Sequence, residues 1–171
     1  SIVGAVLALL PLLGGLWVVR IVDRWEPEPP RLLWIALLWG AVASVVIALG
    51  VDLLVTIATG PARDPLLEAM KSVVQAPIVE EIAKGLGILL MLRLGRRYFD
   101  GPVDGVVYGA MIGAGFAFTE NILYFADSLI TGGAESAAFT FFLRGILSPF
   151  AHVMFTAVTG YAVGLAEIGR A

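Results

Sequence analysis

The sequence predicts an all-α fold, a polytopic bundle of membrane-spanning helices, and three observations carry that reading. Of 171 residues, 59% are hydrophobic and only 15% are charged, against about 25% charged in an ordinary soluble domain. Mean hydropathy is +0.93. The apolar residues are gathered into runs of roughly 20 or more, the length that crosses a bilayer, and short polar connections rich in Pro and Gly separate them. The length fits one domain, residues 1–171. A net charge of −3 with no basic block argues against a nucleic-acid partner. There is no cysteine, which excludes disulfides, thiolate metal sites and a cysteine nucleophile.

The elements follow in order. Residues 2–22 form a first helix; the run lacks the basic start and small-residue cleavage site of a leader peptide, so it reads as a membrane helix. Residues 23–31, "DRWEPEPPR", make a polar loop with Trp25 placed for the interface. A second helix covers 32–59 and "GPARDP" closes it. A third covers 66–94, with Pro77 expected to loosen it by removing a backbone hydrogen bond. After "GRRYFDGP" a fourth covers 103–130, and "TGGAE" is expected to break the chain. Residues 137–147 are apolar but only 11 long, too short to span. They are expected to dip into the outer leaflet as a re-entrant segment, with Arg144 beside the turn. Ser148-Pro149 is an N-cap followed by proline at the first helical position, opening a last helix over 148–169.

Positive charge sets an orientation. Arg20, Arg24 and Arg31 flank the first loop, and Arg93, Arg96 and Arg97 the third, so both should be cytoplasmic. The second loop holds only Arg63 beside Asp64, and Asp127 and Glu135 follow the fourth helix; both regions should face out. A last helix running inward would put Arg170 at the cytoplasmic end and His152 near the level of Glu120. Gly105, Gly109, Gly113 and Ala117 recur every fourth residue, with Asn121 next on the stripe. Ser148, His152, Thr156, Gly160 and Gly164 form a second such stripe. Small residues at this spacing let helix backbones approach closely in lipid, so Asn121 and His152 should point into the bundle.

Four ionisable positions interrupt the apolar helices: Glu80 with Glu81, Lys84, Glu120 and His152. A charge at bilayer depth costs at least ~2.5–3.5 kcal/mol, and such residues face a cavity or a partner. Lys84 follows Glu80 by four residues and Glu81 by three, so it can pair with either. An internal ion pair accounts for Lys84 and one glutamate, leaving a second glutamate, Glu120 and His152 without a role. Three carboxylates and one ammonium leave −2, which one divalent cation or two protons would cancel. Carboxylate and imidazole are acceptable zinc ligands, and a glutamate off the metal can act as base on a bound water. A single histidine excludes an H-E-x-x-H zinc site, and no G-x-S-x-G surrounds Ser148. No paired intramembrane aspartates and no phosphate-binding glycine loop are present. A non-enzymatic scaffold with a buried ion-pair cluster, or an ion or proton transporter, also fits buried acids. The sequence shows no inverted repeat to support transport.

These residues resemble known motifs. "EEIAK" (Glu80, Glu81, Lys84) resembles E-E-x-x-K, "FAFTEN" (Phe116, Glu120, Asn121) resembles F-x-x-x-E-N, and "HVMFT" (His152, Thr156) resembles H-x-x-x-T. With the acidic, Pro-rich loop "DRWEPEP", the ordered set is similar to the PrsW family of membrane-embedded proteases, relatives of the CAAX prenyl endopeptidase and bacteriocin-immunity group. The resemblance covers essentially the whole chain. It implies an all-helical intramembrane endopeptidase of a prokaryotic cell membrane, dependent on a divalent metal such as zinc. The expected partners are the bilayer and a membrane-anchored protein substrate such as an anti-sigma factor. Glu81, Glu120 and His152 are the expected metal ligands, with Glu80 and Glu81 sharing the roles of base and ligand in an order the sequence leaves open. Asn121 is the candidate oxyanion donor, Thr156 a support for His152, and Lys84 a partial counter-charge. Family members usually continue into a further helix with another histidine, whereas this sequence holds His152 alone.

Overall fold

A computed structural model describes residues 2–24, 27–60, 64–142 and 147–168. Trp25, Arg63, Arg144 and Arg170 lie outside the described residues. Within them every regular element is helical: α1 (Ile2–Val22), α2 (Pro30–Leu38), α3 (Val45–Thr59), α4 (Pro65–Met70), α5 (Ala76–Leu94), α6 (Pro102–Phe142) and α7 (Ser148–Ile168). The expected second helix is α2 and α3 joined through a wide π turn at Trp39–Ser44. The third is α4 and α5 joined through a second π turn at Lys71–Gln75. Pro77 explains the second: its ring would strike the carbonyl four residues back, and a widened turn relieves the clash. Among the described residues, three helices are long and apolar enough to cross a membrane, namely Pro30–Thr59, Pro102–Gly132 and Ser148–Glu167. The stretch through α5 is less apolar because Glu80, Glu81 and Lys84 interrupt it. Trp17, Trp34, Leu54 and Ile57 point outward, an apolar exterior suited to lipid.

One expectation is corrected. "TGGAE" does not break the chain: α6 runs 41 residues without interruption, about 60 Å at 1.5 Å per residue. Glycine weakens a helix by about 1 kcal/mol relative to alanine but, unlike proline, removes no hydrogen bond. Thr131 also bonds back to the Asp127 carbonyl at 2.9 Å. Residues 137–142 are the last turns of α6, so 137–147 forms no separate re-entrant helix among the described residues.

α6 is the central element, with Val107, Tyr108, Ile112 and Ala117 buried against its neighbours. α7 packs antiparallel along it, as expected for a helix returning inward. A Cβ on Gly105 would collide with the Gly160 carbonyl, and one on Gly160 with that of Gly105. Further along, Gly109 faces the Thr156 carbonyl and Gly113 that of His152. On its other side α6 meets the Pro30–Thr59 helix, where Gly115 abuts the Leu37 carbonyl. Trp39 pins α5 by donating its indole N–H to the Ala83 carbonyl at 3.0 Å.

At the end of α6 where the first loop lies, the acidic loop turns inward. Glu28 is buried and accepts a hydrogen bond from the Tyr108 hydroxyl at 2.5 Å. Its backbone N–H is held by Asp23 Oδ1 at 2.9 Å. Asp104 accepts the N–H groups of Asp100 and Gly101, both at 2.9 Å, closing the start of α6. Burial pushes the Glu28 carboxyl up to about 7, against the lowering effect of the Tyr108 bond and with help from the negative Asp104.

Two outcomes test this packing. Gly109→Val should lower stability by at least about 1–3 kcal/mol through overpacking, while Gly14→Ala, with open space around it, should be tolerated; thermal unfolding in detergent compares them. Glu28 holds its proton more tightly when folded, so its stabilising contribution is full below pH 4.5 and is lost as pH rises through about 7. Glu28→Gln should flatten that part of the stability–pH curve.

Candidate active site

Three helices converge on one polar cluster. α5 supplies Glu80, Glu81 and Lys84, α6 supplies Phe116 and Glu120, and α7 supplies Ser148, His152 and Thr156. Lys84 is fully buried and its Nζ lies 2.6 Å from Glu81 Oε1. The same Nζ is 2.9 Å from His152 Nδ1 and 4.3 Å from the centre of the Phe116 ring. His152 Nε2 lies 2.8 Å from Glu120 Oε2. Ser148 Oγ donates to the same oxygen at 3.5 Å, and Thr156 Oγ1 donates to Glu81 Oε2 at 3.5 Å. A chain of contacts thus runs Thr156–Glu81–Lys84–His152–Glu120–Ser148 across three helices.

The two adjacent acids part company, because neighbours on a helix point about 100° apart. Glu81 turns to Lys84 and Thr156. Glu80 joins Glu120 and His152, each offering a ligand atom, and these three atoms lie within 4.8 Å of one another. The geometry groups Glu80, and not Glu81, with Glu120 and His152, since the Lys84 ammonium holds the Glu81 carboxylate. Two carboxylates and an imidazole suit a divalent ion such as zinc, and bonds of about 2.0–2.2 Å would need ligand atoms roughly 3.4 Å apart. Small side-chain rotations reach that spacing, so the residues fit the ion.

Glu80, Phe116 and Glu120 line a cavity of about 700 Å³ between α3, α4, α5 and α6. Its wall continues along α6 through Leu123 and Tyr124 to Asp127. Asn121 is not on that wall. It is buried in the lining of a second cavity, about 550 Å³, beside Gly15, Phe118 and Val153. Neither atom of its amide has a hydrogen-bond partner among the described residues. Asn121, expected as an oxyanion donor, is thus set apart from Glu80, Glu120 and His152, because one residue's step along α6 turns it away from Glu120. Thr156 does support the cluster, through Glu81 and not through His152 directly. Phe116 stands in the motif that carries Glu120, and its ring centre lies 5.1 Å from that of His152, walling the site. Ser148 was read as a cap; its place one turn before His152 on the small-residue stripe was the signal.

Fold and site together define a membrane-type helical bundle with a half-buried carboxylate–imidazole centre. The chain belongs to the PrsW family of intramembrane metalloproteases, whose family model matches residues 28–171. A Protease PrsW of Clostridioides difficile (strain 630) is 32% identical over 157 residues, 92% of this chain and 63% of the relative. A Protease PrsW of Geobacillus kaustophilus (strain HTA426) is 31% identical over 145 residues, 85% of this chain and 58% of the relative. One of Bacillus subtilis (strain 168) is 38% identical over 80 residues, 47% of this chain and 33% of the relative. The chain spans about three fifths of the length of the first two. No solved structure matches it.

The split between the acids predicts different losses. Glu80→Ala should weaken divalent-metal binding at least about tenfold, read by equilibrium dialysis with Co²⁺. Glu81→Ala should instead cost about 1–3 kcal/mol of stability by leaving the Lys84 ammonium buried beside one fewer partner.

Proposed function

We propose that this chain is the catalytic part of an intramembrane endopeptidase that uses a divalent metal, zinc by its donor set, to cleave a membrane-anchored protein. Convergence of Glu80, Glu120 and His152 carries the reading, with Glu80 and Glu120 on the wall of a cavity between the helices. Membership of a metalloprotease family supports it. A scaffold reading explains the Lys84–Glu81 pair but leaves Glu80 and Glu120 facing a cavity for no purpose. The chain's bacterial relatives support a bacterial cell membrane, and the arginine pattern has α6 running outward. The cavity then leads from the site toward the extracytoplasmic end, past Asp127, and an anti-sigma factor is one substrate that such a route would suit.

The reaction is hydrolysis: a water oxygen bonds to the scissile carbonyl carbon, the C–N bond breaks, and the amine leaves with a proton. Glu120, His152 and one oxygen of Glu80 would hold the ion, which when bound supplies polarisation of the carbonyl and a more acidic water. The other oxygen of Glu80 accepts the water proton and returns it to the leaving nitrogen. Phe116 limits bulk water at the same point. Lys84 and Glu81 keep His152 in place.

The test uses the full-length protein in liposomes with a single-span reporter substrate. Cleavage should stop with a chelator and return with Zn²⁺, and Glu80→Gln should reduce it about 10²–10⁴-fold, as loss of a general base does. Chelator-resistant cleavage that persists in Glu80→Gln would overturn the proposal.

A further inference from the structure

The second cavity takes no part in the chemistry above. It holds about 550 Å³ between α1, α6 and α7, within the roughly 300–1,000 Å³ of small-ligand sites. Leu10 and Phe150 line it and are also exposed on the outside of the bundle, so it opens toward the bilayer. Among the described residues that line it, every side chain but one is apolar. The exception is Asn121, which is fully buried, with neither atom of its amide hydrogen-bonded to another described residue. A buried amide without partners is unfavourable, because it has lost its hydrogen bonds to water without replacement. A carboxamide presents N–H donors and a carbonyl acceptor. A group that satisfies both must accept and donate at one place.

The geometry points to a long-chain fatty acid bound here as the neutral acid, its chain between α1 and α7 and its carboxyl paired with the Asn121 amide. A protonated carboxyl has one O–H donor and acceptor capacity besides, so it meets both amide atoms. A phospholipid ester only accepts, and would leave the Asn121 carbonyl without a donor. No lysine, arginine or histidine is among the lining residues, so a carboxylate or phosphate would enter without a counter-charge. A partner helix is about 10–12 Å across and already satisfies its own backbone; it neither fits this volume nor supplies the pair. Met154 lines the same wall, and its unbranched, exposed side chain can turn aside to admit the head group. None of Glu80, Glu120 and His152 lines this cavity, so the site stands independently of the protease reading.

The test photolabels the full-length protein in phosphatidylcholine nanodiscs with diazirine-tagged palmitic acid and maps the labelled peptides by mass spectrometry. Labelling should saturate and fall on the segments of Leu10, Phe118 and Val153. Palmitamide, which also donates and accepts, should compete as well as palmitic acid. Methyl palmitate, which only accepts, should compete about tenfold less well, the factor for one hydrogen bond left unmade. Raising the pH should weaken competition by palmitic acid, as it ionises, and leave that by palmitamide unchanged. Asn121→Leu keeps the wall apolar and should abolish the preference for acid over ester. Gly14→Phe, at a lining position with open space for a side chain, should fill the cavity and block labelling. Equal competition by acid and ester in the parent protein would overturn the inference. So would labelling that never saturates, or a preference that survives in Asn121→Leu.

Discussion

The close approach of α6 and α7 is the constraint on which the rest depends. Lipid offers no hydrophobic drive to hold two apolar helices together, so close backbone packing does much of that work. At Gly105 and Gly160 each helix occupies the space a Cβ would need on the other. The contact repeats toward Gly113 and His152, and each repeat fixes register as well as distance. About two turns past Gly113 lies Glu120, and the imidazole of His152 reaches it. A larger residue in either stripe would part the helices by more than a hydrogen bond can span.

That register would be of little use without α5. Trp39 ties α5 to the helix before it, and the π turn ahead of Pro77 sets how α5 leaves α4. The rotation that results sends Glu80 toward α6 and Glu81 toward Lys84 and Thr156. Burying a lysine is costly unless partners take its protons, and here a carboxylate, an imidazole and an aromatic face surround it. The cluster therefore needs all three helices at once. It links the stability of the bundle to the geometry of the ligand group.

Much of this was legible in the chain. The runs of about 20 apolar residues marked the helices, and small residues at every fourth position marked the close-packing faces of α6 and α7. Acids, lysine and histidine at bilayer depth marked the site, because nothing but function or pairing offsets their insertion cost. The break at "TGGAE" was misplaced because two glycines resemble a loop signal, yet a helix with intact hydrogen bonds can run through them. Asn121 shared a stripe with Gly113 and Ala117, which gave its helix face but not the cavity on that face. Ser148 had an ordinary local explanation as a cap, which hid its place beside Glu120.

By itself the sequence determined the membrane-type helical architecture, the helices that carry the polar residues, and the small-residue contact faces of two of them. These follow from run length, periodicity and insertion cost, which are properties of a segment alone. Only the tertiary structure decided that Glu80 joins Glu120 and His152 while Glu81 holds Lys84, and that Asn121 faces away. The physical reason is that adjacent residues differ by about 100° around the helix axis. Which of them meets a neighbour depends on how each helix is rotated, and packing among helices sets that rotation.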